Sequence, residues 1–209
     1  GEIVVNFMKE NKTLDNSQID SYIKSSILDP LNKIDQKRPS EPQDIVLYGF
    51  GRIGRLVSRI MAQTTGPGNY YRLKAIVVRK GSNTNDLLKR ASLLRRDSVH
   101  GSFHGTIRVD NESETLVINE TPVKVIYANG PKDFKYSDYD IDNPIVIDNT
   151  GVWREDKDLS LHLESGASKV VLTAPAKSKI KNIVNSINNN ILNESDNVSS
   201  AASCTTNAI

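Results

Sequence analysis

Residues 44 to 61 read DIVLYGFGRIGRLVSRIM. This is an apolar run, three glycines spaced G-x-G-x-x-G, then a stretch whose Leu56, Val57, Ile60 and Met61 fall on one helical face. Strand, glycines and helix in that order are the context in which the spacing means a dinucleotide-binding βα turn. Each glycine has a reason. Gly49 permits the tight turn, Gly51 lets a pyrophosphate approach the backbone, and Gly54 lets the helix pack closely on the strand, with its N-terminus facing the phosphates. Arg52 and Ile53 are placed on the ligand side of the loop.

Outward from this turn, apolar runs alternate with helical patterns. The runs LKAIVV (73 to 78), TLVIN (115 to 119), VKVIYA (123 to 128), PIVIDN (144 to 149) and KVVLT (169 to 173) read as strands beside DIVLY. Helical patterns cover 55 to 63, 85 to 94, 157 to 166 and 180 to 190. The alternation predicts an α/β fold with a doubly wound, mostly parallel Rossmann-type sheet. TLVIN and the following TPVKVIYA are expected to form an antiparallel excursion joined by a tight turn. No internal repeat is visible.

An NAD-binding turn of this type usually has a carboxylate at the end of the second strand to bond the ribose 2′-hydroxyl. Here that strand ends Ile76-Val77-Val78-Arg79-Lys80, so the carboxylate is missing and two cations follow. Two readings stand side by side: a solvated basic strand end, or cations that admit a 2′-phosphate.

Residues 1 to 43 form a separate helical piece and linker. Ile19, Tyr22, Ile23, Ser26 and Ile27 share one face, Asn16 or Ser17 caps the start, Pro30 ends the helix, and QKRPSEPQ (36 to 43) is the linker. The resulting division is 1 to 43 extension, 44 to 203 dinucleotide-binding domain, and 204 to 209 the start of a truncated catalytic domain. No apolar run approaches the ~20 residues of a membrane span. The N-terminus also lacks the features of a secretory signal, so a cytoplasmic location is expected, and Asn-x-Ser/Thr triplets such as those at Asn111 and Asn193 carry no weight. A net charge of +2 gives no argument for nucleic acid, and no metal site is assigned. A chain that begins with Gly1 and stops at Ile209 reads as a fragment at both ends.

Cys204, the only cysteine, follows the small residues Ser199 to Ser203 and opens what looks like a helix. No internal disulfide is possible. A thiol at a helix start lies among unpaired N–H groups that favour the thiolate, and the hydroxyls of Ser203 and Thr205 could join them in holding an oxyanion. Considered alone, such a cysteine reads better as a small buried hydrophobe than as a nucleophile.

GFGRIGR at 49 to 55 taken with SCTTN at 203 to 207 resembles phosphorylating glyceraldehyde-3-phosphate dehydrogenase. DSVHG (97 to 101) with FHGT (103 to 106), TGV (150 to 152) and TAP (173 to 175) are similar to further family segments. The resemblance covers 44 to 209 and implies a longer subtype with an N-terminal extension. It implies Cys204 as catalytic nucleophile and Ser203 and Thr205 as substrate-phosphate or inorganic-phosphate contacts. Gly49, Gly51, Arg52, Ile53, Gly54, Arg79, Thr150, Gly151 and Thr173 would then be cofactor contacts for NAD or NADP. The reaction implied is oxidation of glyceraldehyde 3-phosphate to an acyl phosphate through a cysteine thioester, in glycolysis or gluconeogenesis, by a homotetramer. His100, His104 and Asp97 are expected to support a loop, because the family's catalytic histidine lies downstream of SCTTN. Val78, Asn149 and Asn129 depart from the common pattern and leave cofactor preference open. An erythrose-4-phosphate dehydrogenase and a non-catalytic nucleotide-binding fragment are the alternatives, and the chain alone is expected to lack turnover.

Overall fold

The computed structural model describes residues 16–25, 42–64, 69–81, 85–177 and 179–208. The chain divides into two units, 1–41 and 42–209, each taken by itself. In the first, helix α1 spans Asn16–Ile23. The expected stop at Pro30 and most of the linker lie outside the described residues.

The second unit is built on a sheet that grows from β1 (Gln43–Tyr48). β1 leads into α2 (Arg52–Thr64), β2 (Tyr71–Val78) and α3 (Asp86–Arg95). The short strands β3 (Arg96–Asp97) and β4 (Gly101–Ser102) pair with each other. β5 (Ile107–Asp110), β6 (Thr115–Ile118) and β7 (Thr121–Tyr127) follow. β8 (Ile145–Asp148), α4 (Asp156–Glu164) and β9 (Lys169–Leu172) come next. The described chain closes with β10 (Lys181–Asn182), β11 (Val198–Ser200) and α5 (Cys204–Ala208).

The strand order is β10-β11-β9-β8-β1-β2-β7-β6-β5. β1 lies between β2 and β8, parallel to both, so the chain runs outward one way from β1 and then returns to start the other half. This is the doubly wound arrangement, and its reversal point lies between β1 and β8. β6 pairs antiparallel with β5 and β7, as the excursion required. Ile118 faces Thr121 across a two-residue turn whose Asn119 and Glu120 have φ of 46° and 66°. Two left-handed residues match the right-handed twist of the flanking strands.

Both sheet faces are covered, and β1 shows how. Ile45 and Leu47 point into one core with Ile76, Leu94, Leu116 and Val125, under α2 and α3. Val46 and Tyr48 point into the other with Val77, Ile126, Val146 and Leu159, under α4. A strand buried on both faces reads as a continuous apolar run, as DIVLY does. Truncating a fully buried residue such as Leu47 to alanine costs about 2–5 kcal/mol. Buried Arg59 links α2 to the next segment: Nε and Nη2 donate to the Leu94 carbonyl at 2.9 and 2.6 Å, and Nη1 to that of Gly101 at 3.1 Å.

One expected element is absent. Residues 180 to 190 are not a helix: they form the short edge strand β10, turns, and a single 3₁₀ turn at Asn189–Ile191. Asparagine side chains bond the backbone that a helix would have used. Val184 N–H donates to Asn188 Oδ1 at 2.7 Å, and Asn188 Nδ2 donates to the Asn182 carbonyl at 3.0 Å. Such local bonds compete with helical ones. Ile187 is 79% exposed. The run of small residues before Cys204 also contains a strand, β11, which composition hides.

Candidate functional site

In an open parallel sheet, ligands bind beyond the carboxyl ends of the strands at the reversal point. A cleft of about 310 Å³ lies there, lined by Tyr48 to Gly51 at the end of β1, Val77 to Arg79 at the end of β2, Ala128 and Asn129 after β7, and Thr150, Val152 and Trp153 after β8. Arg90 of α3 completes it.

The three glycines are needed for three different reasons. Gly49 has a φ of 90°, and a Cβ there would lie 2.8 Å from Thr150 Cγ2 and 3.2 Å from Thr150 N. A Cβ on Gly54 would strike the carbonyl oxygen of Gly49, which as backbone cannot move aside. A Cβ on Gly51 would meet nothing within 4 Å. The fold therefore needs glycine at 49 and 54, whereas at 51 it leaves open room where a pyrophosphate would approach. Directly after Gly51 comes the start of α2 at Arg52, where a helix leaves its first N–H groups without helical partners.

The side chains of Arg52 and Ile53 do not line the cleft. Arg52 Nη2 donates to Ser98 Oγ at 3.2 Å and its Nε lies 3.6 Å from Asp97, while Ile53 is half exposed. Asp97 holds the turn it was expected to support, accepting the N–H groups of Val99 and His100, each at 3.0 Å, and approaching Arg55 at 3.7 Å. Those N–H bonds and the His100 ring hold its carboxyl well below the usual range.

A buried polar chain supports the other wall. Asp148 Oδ1 accepts the N–H and the Oγ1 hydroxyl of Thr150, both at 2.7 Å. Asp148 Oδ2 lies 3.4 Å from His162 Nε2, whose Nδ1 lies 3.3 Å from the Tyr136 hydroxyl. Asp148, His162 and Tyr136 are all fully buried. Tyr48 packs edge-on against His162 and Trp153, and burial with the Asp148 charge pushes its phenol far above the ordinary value. This wall sets Thr150, whose Oγ1 accepts Val152 N–H at 3.1 Å, and Gly151, whose φ is 65°.

Thr173, just after β9, is joined to the same wall: its N–H and Oγ1 donate to the Asp148 carbonyl at 3.0 and 3.1 Å. Cys204 follows β11 at the same carboxyl edge, exposed, as the first residue of α5. From β1 to β11 is three strand spacings, about 14 Å. The hydroxyl of Ser203 is already engaged locally, accepting Thr206 N–H at 3.0 Å and lying 2.9 and 2.6 Å from the hydroxyls of Thr205 and Thr206. It caps the short helix.

Gly49, Gly51, Arg79 and Thr150 thus share one cleft, while Thr173 and Cys204 continue its edge away from it. Arg90, Trp153 and the chain of Asp148, His162 and Tyr136 are additions that the motifs did not reveal. The pairing of Asp86 with Arg90 at i,i+4 was the available signal for one of them.

A family profile described as glyceraldehyde 3-phosphate dehydrogenase, NAD binding domain, matches residues 43–156. A glyceraldehyde-3-phosphate dehydrogenase-like protein of Pseudomonas aeruginosa is 49% identical over the whole chain, which covers 44% of that protein. Glyceraldehyde-3-phosphate dehydrogenases of Mycoplasma pneumoniae and Thermotoga maritima are each 36% identical over 79% of the chain, covering 45% and 46% of theirs. The chain spans less than half the length of these curated relatives.

Proposed function

The chain belongs to the glyceraldehyde-3-phosphate dehydrogenase family, and from that premise we propose that residues 42–208 seat NAD or NADP for a phosphorylating aldehyde dehydrogenase. The observation that carries the proposal is Gly51, a glycine that the fold does not need, at the mouth of a cleft on the sheet's reversal point. Gly51, Arg52, Ile53 and Gly54 would hold the pyrophosphate through backbone N–H groups, while Gly49, whose own N–H donates to the Val77 carbonyl at 2.8 Å, would let the turn pass beneath it. Thr150, Gly151 and Thr173 would carry the dinucleotide on toward β11.

In the full-length protein, Cys204 Sγ is the proposed nucleophile, forming a bond to the aldehyde carbon of glyceraldehyde 3-phosphate. NAD or NADP, when bound, supplies the hydride acceptor that turns this adduct into a thioester. Inorganic phosphate then attacks the acyl carbon and the thiolate leaves, giving an acyl phosphate. Thr205 is proposed to contact a phosphate. Ser203 joins it only by giving up part of its capping network. His162 is not the base that takes the proton, since it is fully buried and its two ring nitrogens face Asp148 and Tyr136. The 209 residues alone are proposed to bind cofactor without sustained turnover, because the family's catalytic histidine lies downstream of SCTTN, and the family's homotetramer belongs to the same reading.

The test is cofactor titration and glyceraldehyde 3-phosphate oxidation by the full-length protein, with and without phosphate. Phosphate-dependent reduction of NAD or NADP is the expected result. Dinucleotide binding without it would leave only a nucleotide-binding module.

A further inference from the structure

The cations at the end of β2 do not all face the same way. Lys80 Nζ sits 5.5 Å over the ring of Tyr127 and is not among the residues lining the cleft. Arg79 lines the cleft, and its guanidinium has no protein partner among the described residues. Arg90 reaches the same space from α3. Its Nε donates to Asp86 at 2.7 Å and its Nη2 to the Arg79 carbonyl at 2.9 Å, which leaves Nη1 uncommitted among the described residues. Arg90 is thus fixed against the backbone of the strand end where a ribose-binding carboxylate would stand, and the residue there is Val78.

Asp86 is already shared between Arg90 and the Tyr127 hydroxyl. Asp133, beside the cleft residue Asn129, is held by the N–H groups of Asn129 and Gly130, so the Arg79 guanidinium and Arg90 Nη1 remain for an anion. A preorganised guanidinium with free N–H groups is matched to phosphate oxygens. Resting on the dinucleotide reading above, we infer that Arg90 together with Arg79 recognises a 2′-phosphate on the adenosine ribose, and that Lys80 takes no part. Arg90 is a specificity residue, held in position by Asp86 and the Arg79 carbonyl.

The test is calorimetric titration of the full-length protein with NADP and with NAD. The wild type is expected to bind NADP at least as tightly as NAD. Arg90→Gln should raise the NADP Kd by roughly 10-fold, the value of a charge-assisted hydrogen bond, and leave the NAD Kd within about twofold. Arg79→Gln should act in the same sense, Arg90→Lys should recover part of the loss, and Lys80→Gln should leave the NADP to NAD ratio unchanged. The NAD Kd controls for damage to the fold. Equal losses of both cofactors in Arg90→Gln, or a ratio moved only by Lys80→Gln, would overturn the assignment. Adenosine 2′-monophosphate should compete with NADP far better than inorganic phosphate does, and equal competition would also overturn it. A wild type that binds neither cofactor defeats the dinucleotide reading itself. Strong NAD preference that Arg79→Gln and Arg90→Gln leave unaltered defeats only this inference.

Discussion

The two halves of the sheet's carboxyl edge are built differently. On the side of β1, β2 and β7 the edge is a closed corner: buried strand ends, a glycine turn pressed against Thr150, and two arginines over a cleft. On the side of β9 and β11 it is open, with Cys204 exposed on a helix of five residues whose neighbouring hydroxyls bond one another. The first half carries its recognition groups on a rigid, doubly covered sheet. The second presents an exposed thiol beside hydroxyls that are bonded to one another. Binding and chemistry should therefore separate under mutation.

The sharpest separation is expected at Cys204. Cys204→Ser in the full-length protein should lower turnover by on the order of a thousand-fold or more, because a hydroxyl is a far weaker nucleophile at neutral pH, and leave cofactor Kd within about twofold. Parallel loss of cofactor binding, measured by titration, would join the two halves that the structure separates.

Asp148 is the bridge between them, since it fixes Thr150 on one side and Thr173 on the other. Asp148→Ala strands two Thr150 donors and a buried histidine and should cost about 3 kcal/mol in a denaturant titration. Thr150→Val should cost less in stability and weaken cofactor binding. If neither variant changes affinity, the buried chain is packing alone.

Gly54→Ala should cost about 1–3 kcal/mol, because the added methyl meets the carbonyl of Gly49. A variant as stable as the wild type would show that the turn can relax.

These contrasts bear on how much could be read from sequence. The glycine turn was readable because strand, spacing and helix are local and mutually consistent. The hairpin at Asn119 and Glu120 was readable because only a tight turn could separate its two runs. Residues 180 to 190 were not, because isoleucines at helical spacing look amphipathic whether or not asparagine side chains have taken the backbone's partners. Arg90 and His162 were hidden for another reason: their importance comes from contacts across elements, with Arg79 and with Asp148, that no spacing encodes. Arg52 reads from sequence as lying on the ligand side of the loop, but its side chain turns to Ser98 and Asp97.

The smallest expected effect concerns acid stability. Asp97 is held ionised below the usual carboxylate range, so its contribution is fully present above the unfolded value near ~3.9 and is lost as pH falls through its lower folded value. Melting temperature followed below about pH 4 should fall more steeply in the wild type than in Asp97→Asn. Identical slopes would remove Asp97 from the acid response.

Gly51 tests the central claim most directly, because it separates the need of the fold from the need of the ligand. Space is open around its Cβ position and its φ lies outside the left-handed region, so Gly51→Val should leave the melting temperature within about 2 °C of the wild type. The same side chain would occupy the path of the pyrophosphate, so the Kd for NAD and NADP should rise by at least about 10-fold. A stable variant that binds both cofactors like the wild type would contradict the dinucleotide site.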